Sequence, residues 1–258
     1  MKIKVIKDYL DKRFPIENAS DFDYGKIGLT IGDENLELKN ILLTLDLNLD
    51  VVSEAIEEDV NLIISHHPFL FTPITKIDFN SEIGKVLRLL FKHNISVYSM
   101  HTNLDVGEGG INDTLAEILG LNNIVGLSEK DQFLRYGELT KALPLKDFVE
   151  IVKARFNLDS VRVVGDLDRI VKRVGLVGGS GSNEIFNAID ANCDCLVTGE
   201  IKLHIAQHAS FTGINLIEVH HGVEKLGLKT IHQELENRLQ GQKKVFITKI
   251  NTDPLVNI

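Results

Sequence analysis

The stretch Asn61-Leu62-Ile63-Ile64-Ser65-His66-His67-Pro68-Phe69 constrains the fold more than any other part of the chain. Its apolar run has the length of one strand, and Pro68 stops the chain from continuing as sheet or helix. Two adjacent histidines stand at the break. In an α/β protein the carboxyl ends of strands open onto the ligand crevice. Neutral imidazole is the commonest protein ligand for zinc and similar ions. A strand that ends in His66 and His67 is therefore placed for chemistry. Two histidines are still too few for a metal, and a strand cap beside a solvated ring accounts for them equally well.

The rest of the chain alternates helix and strand signals. Apolar positions Ile3, Ile6, Tyr9 and Leu10 have helical spacing, which predicts a helix over 3–13 that Pro15 ends. Glycines 25, 28 and 32 bracket a short strand. Residues 40–45 read as a strand and 51–58 as a helix capped by Asp50. A helix over 82–93 turns Ile83, Val86, Leu87, Leu90 and Phe91 to one face. A strand over 95–100 leads to His101, and a helix over 112–119 is closed by Gly120.

Residues 126–170 look different: a strand enters at Arg135, a helix follows Pro144, and 161–164 is strand-like. Beyond them come a strand at 174–177, a glycine-rich loop, a helix over 183–191 and a strand at 195–198. A helix over 202–209, a strand at 216–219, a long helix over 223–239 and a closing strand at 245–250 complete the chain. Two segments share this layout. Strand 40–45, helix, strand 61–65, helix, strand 95–100 is matched by strand 174–177, helix, strand 195–198, helix, strand 215–219. Each copy ends in His-x-x-x-carboxylate, His101 with Asp105 and His220 with Glu224. The reading is an α/β fold of two similar lobes, residues 1–125 and 171–258, with 126–170 as a small bridging module. Strand ends of two such lobes can face one crevice, a favoured place for a small-molecule site.

The residues at those ends are His66, His67, His101, Asp105, His220 and Glu224. If residues 220–224 open an α-helix, the i,i+4 spacing sets His220 and Glu224 on one face. Three or more histidines with two carboxylates exceed the three protein ligands of one catalytic zinc. They suit two neighbouring divalent ions that acidify a water and polarise a carbonyl or phosphoryl oxygen. Nitrogen and oxygen donors without thiolate fit zinc, manganese or iron and do not choose among them. Solvated histidines and carboxylates at helix starts are the plainer explanation of the same residues.

Gly178-Gly179-Ser180-Gly181 before a helix reads either as a phosphate cradle of backbone N–H groups or as a tight turn; it lacks the Gly-Lys-Ser/Thr ending of a P-loop. Glu200 and His204 read as crevice or surface residues, with Lys202 the nearest cation to a phosphate. A formal net charge of -9 gives no footprint for nucleic acid or anionic membrane. Cys193 and Cys195 read as reduced core thiols, which points to the cytoplasm. The start lacks the apolar core of a signal peptide, and no run approaches the roughly 18 apolar residues of a membrane helix.

Ser65-His66-His67-Pro68, His101-Thr102-Asn103-Leu104-Asp105, Thr198-Gly199-Glu200 and His220 to Glu224 resemble the GTP cyclohydrolase 1 type 2 homologue family, also called NIF-three-like. Gly28-Leu29-x-x-Gly32 and the 178–181 loop agree, and the match runs along essentially the whole chain. The resemblance implies a two-lobed α/β fold with a dinuclear divalent-metal site in the crevice. It maps ligands onto His66, His67, Asp105, His220 and Glu224, with Glu224 as the bridge. It leaves His101 as a supporting or acid/base group. It further implies a metal-dependent hydrolase acting on a small molecule, with a nucleotide as candidate, in a homohexameric ring. A non-enzymatic metal-binding regulator, or a purely structural ring component, is the alternative. The family's last motif usually has glycine before its histidine, where this chain has Val219 before His220. This chain also lacks the long central insertion of some members.

Overall fold

The computed structural model describes residues 1–126 and 133–255, so that part of the expected bridging module, residues 127–132, lies outside the described residues. The chain forms two compact units. One comprises residues 1–107 with 228–252, the other 108–227 with 253–258.

The first unit holds helix α1 (Ile3–Arg13), strands β1 (Gly28–Ile31) and β2 (Asn40–Thr44), helix α2 (Leu49–Glu57) and strand β3 (Val60–Ser65). Helix α3 (Glu82–His93), strand β4 (Ser96–Ser99) and the short helix α4 (Thr102–Val106) follow. The sheet order is β1-β4-β3-β2 and then a strand from the far end of the sequence. Strands β2, β3 and β4 run parallel, and β1 lies antiparallel to β4. Every residue of β3 and β4 is buried, as expected of parallel strands covered on both faces. Leu42, Ile63 and Val97 point to the face where Val51, Val52 and Ala55 of α2 and Val86, Leu87 and Leu90 of α3 pack. On the opposite face Tyr98 reaches Asp11 of α1, its hydroxyl donating at 2.5 Å. Each such apolar side chain contributes about 1.5–3 kcal/mol on full burial.

The second unit repeats the plan. Helix α5 (Ile111–Leu119), strands β5 (Asn122–Gly126) and β6 (Arg135–Pro144), helix α6 (Leu145–Phe156) and strand β7 (Arg162–Val164) come first. Strand β8 (Ile170–Val177), helix α7 (Ile185–Asp190), strand β9 (Cys195–Thr198), helix α8 (Leu203–Thr212) and strand β10 (Asn215–Glu218) follow. The order is β5-β6-β8-β9-β10-β7, with β8, β9 and β10 parallel. Ile185 and Ala188 of α7 and Ile205 and Ala209 of α8 share a core with Leu196 and Leu216. Helices α5 and α6 pack against each other and against β6 and β8. Helix α9 (Leu228–Leu239) and strand β11 (Val245–Ile247) then return to the first unit, where β11 pairs in parallel with β2.

The expected α/β architecture and its repeated strand-helix-strand plan are present. The unit limits differ from 1–125, 126–170 and 171–258. The stretch expected to bridge supplies β6, α6 and β7 to the second sheet, because β6 pairs with β8 and β7 with β10. The closing strand lies beside β2, since an open parallel edge is satisfied by whichever strand reaches it. Two local readings also change. Asn48, not Asp50, caps α2, its side chain accepting from the Val51 N–H. The long helix expected over 223–239 begins instead as a 3-10 segment, His221–Gly227. Among the described residues no helix is long and apolar enough to cross a membrane.

Candidate metal centre

In the first unit the donor residues continue directly from the parallel ladder. The backbone N–H groups of His66 and His67 donate to the Thr44 and Leu45 carbonyls at 3.0 and 2.9 Å, one step beyond β2 and β3. His66 is 1% exposed. Its Nδ1 lies 2.9 Å from the Met100 carbonyl. A carbonyl only accepts, so Nδ1 carries the proton and Nε2 carries the lone pair. The Nδ1 of His67 lies 2.7 Å from Asp46 Oδ1, which sets that ring the same way. Asp46 is itself held by the Thr252 hydroxyl at 2.7 Å.

His101 ends the β4 connection and caps α4. Its Nδ1 lies 2.8 Å from Asp23 Oδ1. Burial raises the Asp23 carboxyl, but the hydrogen bonds from His101 and Thr102 outweigh it and hold the pKa below the usual carboxylate value. Asp105 sits one turn on in α4, largely buried, with Oδ1 3.6 Å from His66 Nε2. Ligand-type atoms of His66, His67 and His101 all lie within 4.8 Å of one another, close enough to share an ion. Two exposed aromatics, Phe22 and Phe71, stand edge-on to His101.

In the second unit the backbone N–H of Val219 donates to the Thr198 carbonyl at 2.9 Å and carries the ladder past β9 and β10. The chain then winds into the 3-10 segment. A 3-10 turn has three residues, so positions i and i+3 share a face. That brings His221 against Glu224, with Nε2 3.3 Å from Oε2. His221 Nδ1 lies 2.6 Å from Glu200 Oε1, so that ring too gives its Nδ1 proton to an oxygen. This hydrogen bond holds the Glu200 carboxyl below its usual value. Glu224 is 3% exposed.

The glycine-rich loop serves as the backing of Glu224. The Gly178 N–H donates to Asn112 Oδ1 at 2.7 Å, and that of Gly181 to the Thr198 hydroxyl at 3.1 Å. These two donors are committed inside the protein and brace the loop as a tight turn. Gly179 has φ +56°, and a Cβ there would meet Glu224 Oε1 at 2.5 Å. A carboxylate this buried fits because the loop has no side chain at that point.

Of the six residues expected from the sequence, His66, His67, His101 and Asp105 gather in the first unit, and Glu224 occupies the strand end of the second. His220 has a left-handed backbone, φ 73°, which glycine adopts with ease. The sequence reading missed His221 together with Asp23 and Asp46, whose carboxylates aim the rings. No local pattern marks these acids, because each meets its histidine through the fold. All four tied rings share one arrangement: an oxygen takes Nδ1–H, as metal-binding histidines are commonly held.

The profile of the Duf34/NIF3 family (NGG1p interacting factor 3) matches residues 1–254. A Clostridium perfringens protein named GTP cyclohydrolase 1 type 2 homolog is 31% identical over 260 residues, covering 98% of either chain. A Staphylococcus aureus protein of the same name is 31% identical over 368 aligned positions, so it carries a long segment with no counterpart here. The crystal structure of Staphylococcus aureus hypothetical protein SA1388 superposes with a TM-score of 0.93 at 33% identity, covering 100% of this chain and 99% of that one.

Proposed function

Because the chain belongs to the Duf34/NIF3 family, we propose that it is a dinuclear metal protein acting as a hydrolase. His66, His67 and Asp105 would hold the ions together with His221 and Glu224. The observation that carries this reading is the common arrangement of the histidines, each giving Nδ1–H to an oxygen so that Nε2 is the nitrogen with a lone pair to offer an ion. A buried carboxylate accompanies each donor group, and a buried carboxylate is costly without a cation. Two ions require more donors than either group offers by itself. His221 is proposed as a ligand because its Nε2 lies 3.3 Å from Glu224 Oε2.

When bound, divalent ions lower the pKa of water and polarise a carbonyl or phosphoryl oxygen. The protein's own part is to aim the imidazoles. Met100, Asp46 and Glu200 accept the Nδ1 protons, and His101, tied to Asp23, has Nε2 as its working nitrogen. The relatives' name supports a nucleotide whose purine ring is opened by water, and the family resemblance supports a homohexamer.

Elemental analysis of native protein, with a screen of nucleotides and cyclic amides, tests the reading. About two divalent ions per chain are expected, with hydrolysis lost in His67→Ala. Less than one ion per chain overturns it. A full complement of metal without turnover of any substrate rejects the hydrolase and leaves a metal-binding regulator. Light scattering checks the hexamer.

A further inference from the structure

One histidine of the first unit is aimed by a carboxylate that is wholly buried. Asp23 ends the short 3-10 turn Asp21–Asp23 and is 0% exposed. Its two oxygens have separate duties. Oδ1 faces His101 Nδ1 at 2.8 Å. Oδ2 accepts from the Thr102 backbone N–H at 3.1 Å and from the Thr102 hydroxyl. The hydroxyl's direction is set as well. Thr102 Oγ1 accepts from the Ser20 N–H at 2.9 Å, and its own proton goes to the carboxylate, which has none to give. The imidazole is boxed on its other sides by Phe22 and Phe71, centroids 6.0 and 6.1 Å away, and by the rings of His66 and His67 at 5.3 and 5.7 Å.

We infer that Asp23 is a positioning residue that locks neutral His101 in the Nδ1–H tautomer, so that Nε2 is the ring nitrogen that offers its lone pair to the site. A bare Nδ1 would set a lone pair against an anionic oxygen at 2.8 Å, so the ring proton stays between them. Free imidazole exchanges its proton between both nitrogens. A locked ring keeps one nitrogen available for general acid and base work. The use of that nitrogen rests on the hydrolase reading; the tautomer itself does not.

Asp23→Asn has a definite consequence here. The Thr102 N–H can only donate, so the amide oxygen turns to Thr102 and the NH₂ faces His101. Nδ1 must then accept, and the ring proton moves to Nε2. The test is long-range proton–nitrogen NMR of the full chain, labelled with nitrogen-15 at histidine, freed of divalent ions by chelation and held where imidazole is neutral. His101→Gln identifies the signal.

Wild-type protein is expected to carry the His101 proton on Nδ1. Asp23→Asn should shift it to Nε2, while Thr102→Val, which keeps the carboxylate, leaves it on Nδ1. A wild-type ring protonated at Nε2 overturns the inference without any variant. An Asp23→Asn protein that retains Nδ1–H also overturns it. If Asp23→Asn does not fold, the wild-type and Thr102→Val spectra decide. Since no metal is present, an absent metal centre leaves the result standing. A chain that binds two ions but shows Nε2–H rejects the role of Asp23 alone.

Discussion

In the first unit the donors stand on regular structure. His66 and His67 extend a parallel strand, and Asp105 rides an α-helix capped by His101. In the second unit the matching strand end is followed by a 3-10 winding, and Glu224 is held against a loop of glycines. The strand plan is the same, yet the last few residues reach their places by different means. Donors on strand ends inherit the stiffness of the sheet. Donors on a 3-10 turn depend on what backs them, because that helix has poorer hydrogen-bond geometry.

The largest effect asks whether the two groups act as one. His66→Ala and Glu224→Gln should each abolish binding of at least one ion, with affinity falling more than the 10–100-fold typical of losing an outer hydrogen-bond partner. Calorimetric titration with zinc or manganese reads both. If Glu224→Gln binds metal as wild type does while His66→Ala binds none, the second unit is not part of the centre.

A smaller effect probes the backing. Gly179→Ala puts a methyl 2.5 Å from Glu224 Oε1 and forces alanine into φ +56°. The backbone term alone costs about 1–2 kcal/mol. Urea denaturation should show at least this loss, with weakened metal binding. Unchanged stability and binding would mean that the loop yields freely and that its glycines are not needed to seat Glu224.

How much of this was legible beforehand follows from distance along the chain. Strands ending in His66–His67 and His101 were readable because apolar runs and their punctuation are local. The repeated plan was readable for the same reason. The partner of β11 was not, since pairing Val245 with Ile41 is a property of the sheet edge. Nor were Asp46 and Asp23, which meet their histidines over 21 and 78 residues. His221 is illegible for a subtler reason: α-helical spacing points to His220, whereas a winding of three residues per turn sets His221 beside Glu224, and the proposed ligand set accordingly exchanges His220 for His221.

That exchange can itself be tested. At φ 73°, His220 occupies a conformation costly to any residue with a Cβ. His220→Gly should be more stable than His220→Ala by about 1 kcal/mol. Both lack the imidazole, so the difference isolates the backbone. Metal stoichiometry should survive His220→Gly and fall in His221→Gly. The opposite pattern would restore His220 as the ligand and remove the 3-10 argument.

The smallest effect compares buried acids in the two sheets. Burial pushes the Cys193 thiol in the second unit from an ordinary 9.0 up to about 11, and Cys195 rises as well. In the first unit burial and the bond to Asp11 push Tyr98 above its ordinary 10.0. Each folded pKa lies above the unfolded one, so the contribution to stability is complete below the unfolded value and is lost as pH rises. The thiols therefore begin to lose theirs near pH 9 and the phenol only near pH 10. Urea midpoints should decline from about pH 9 upward. Cys193→Ala should flatten the first part of that decline, and Tyr98→Phe only the later part. A wild-type curve level until pH 10 would mean that the thiols ionise as readily folded as unfolded, and that the second sheet does not enclose its cysteines as the first encloses its tyrosine.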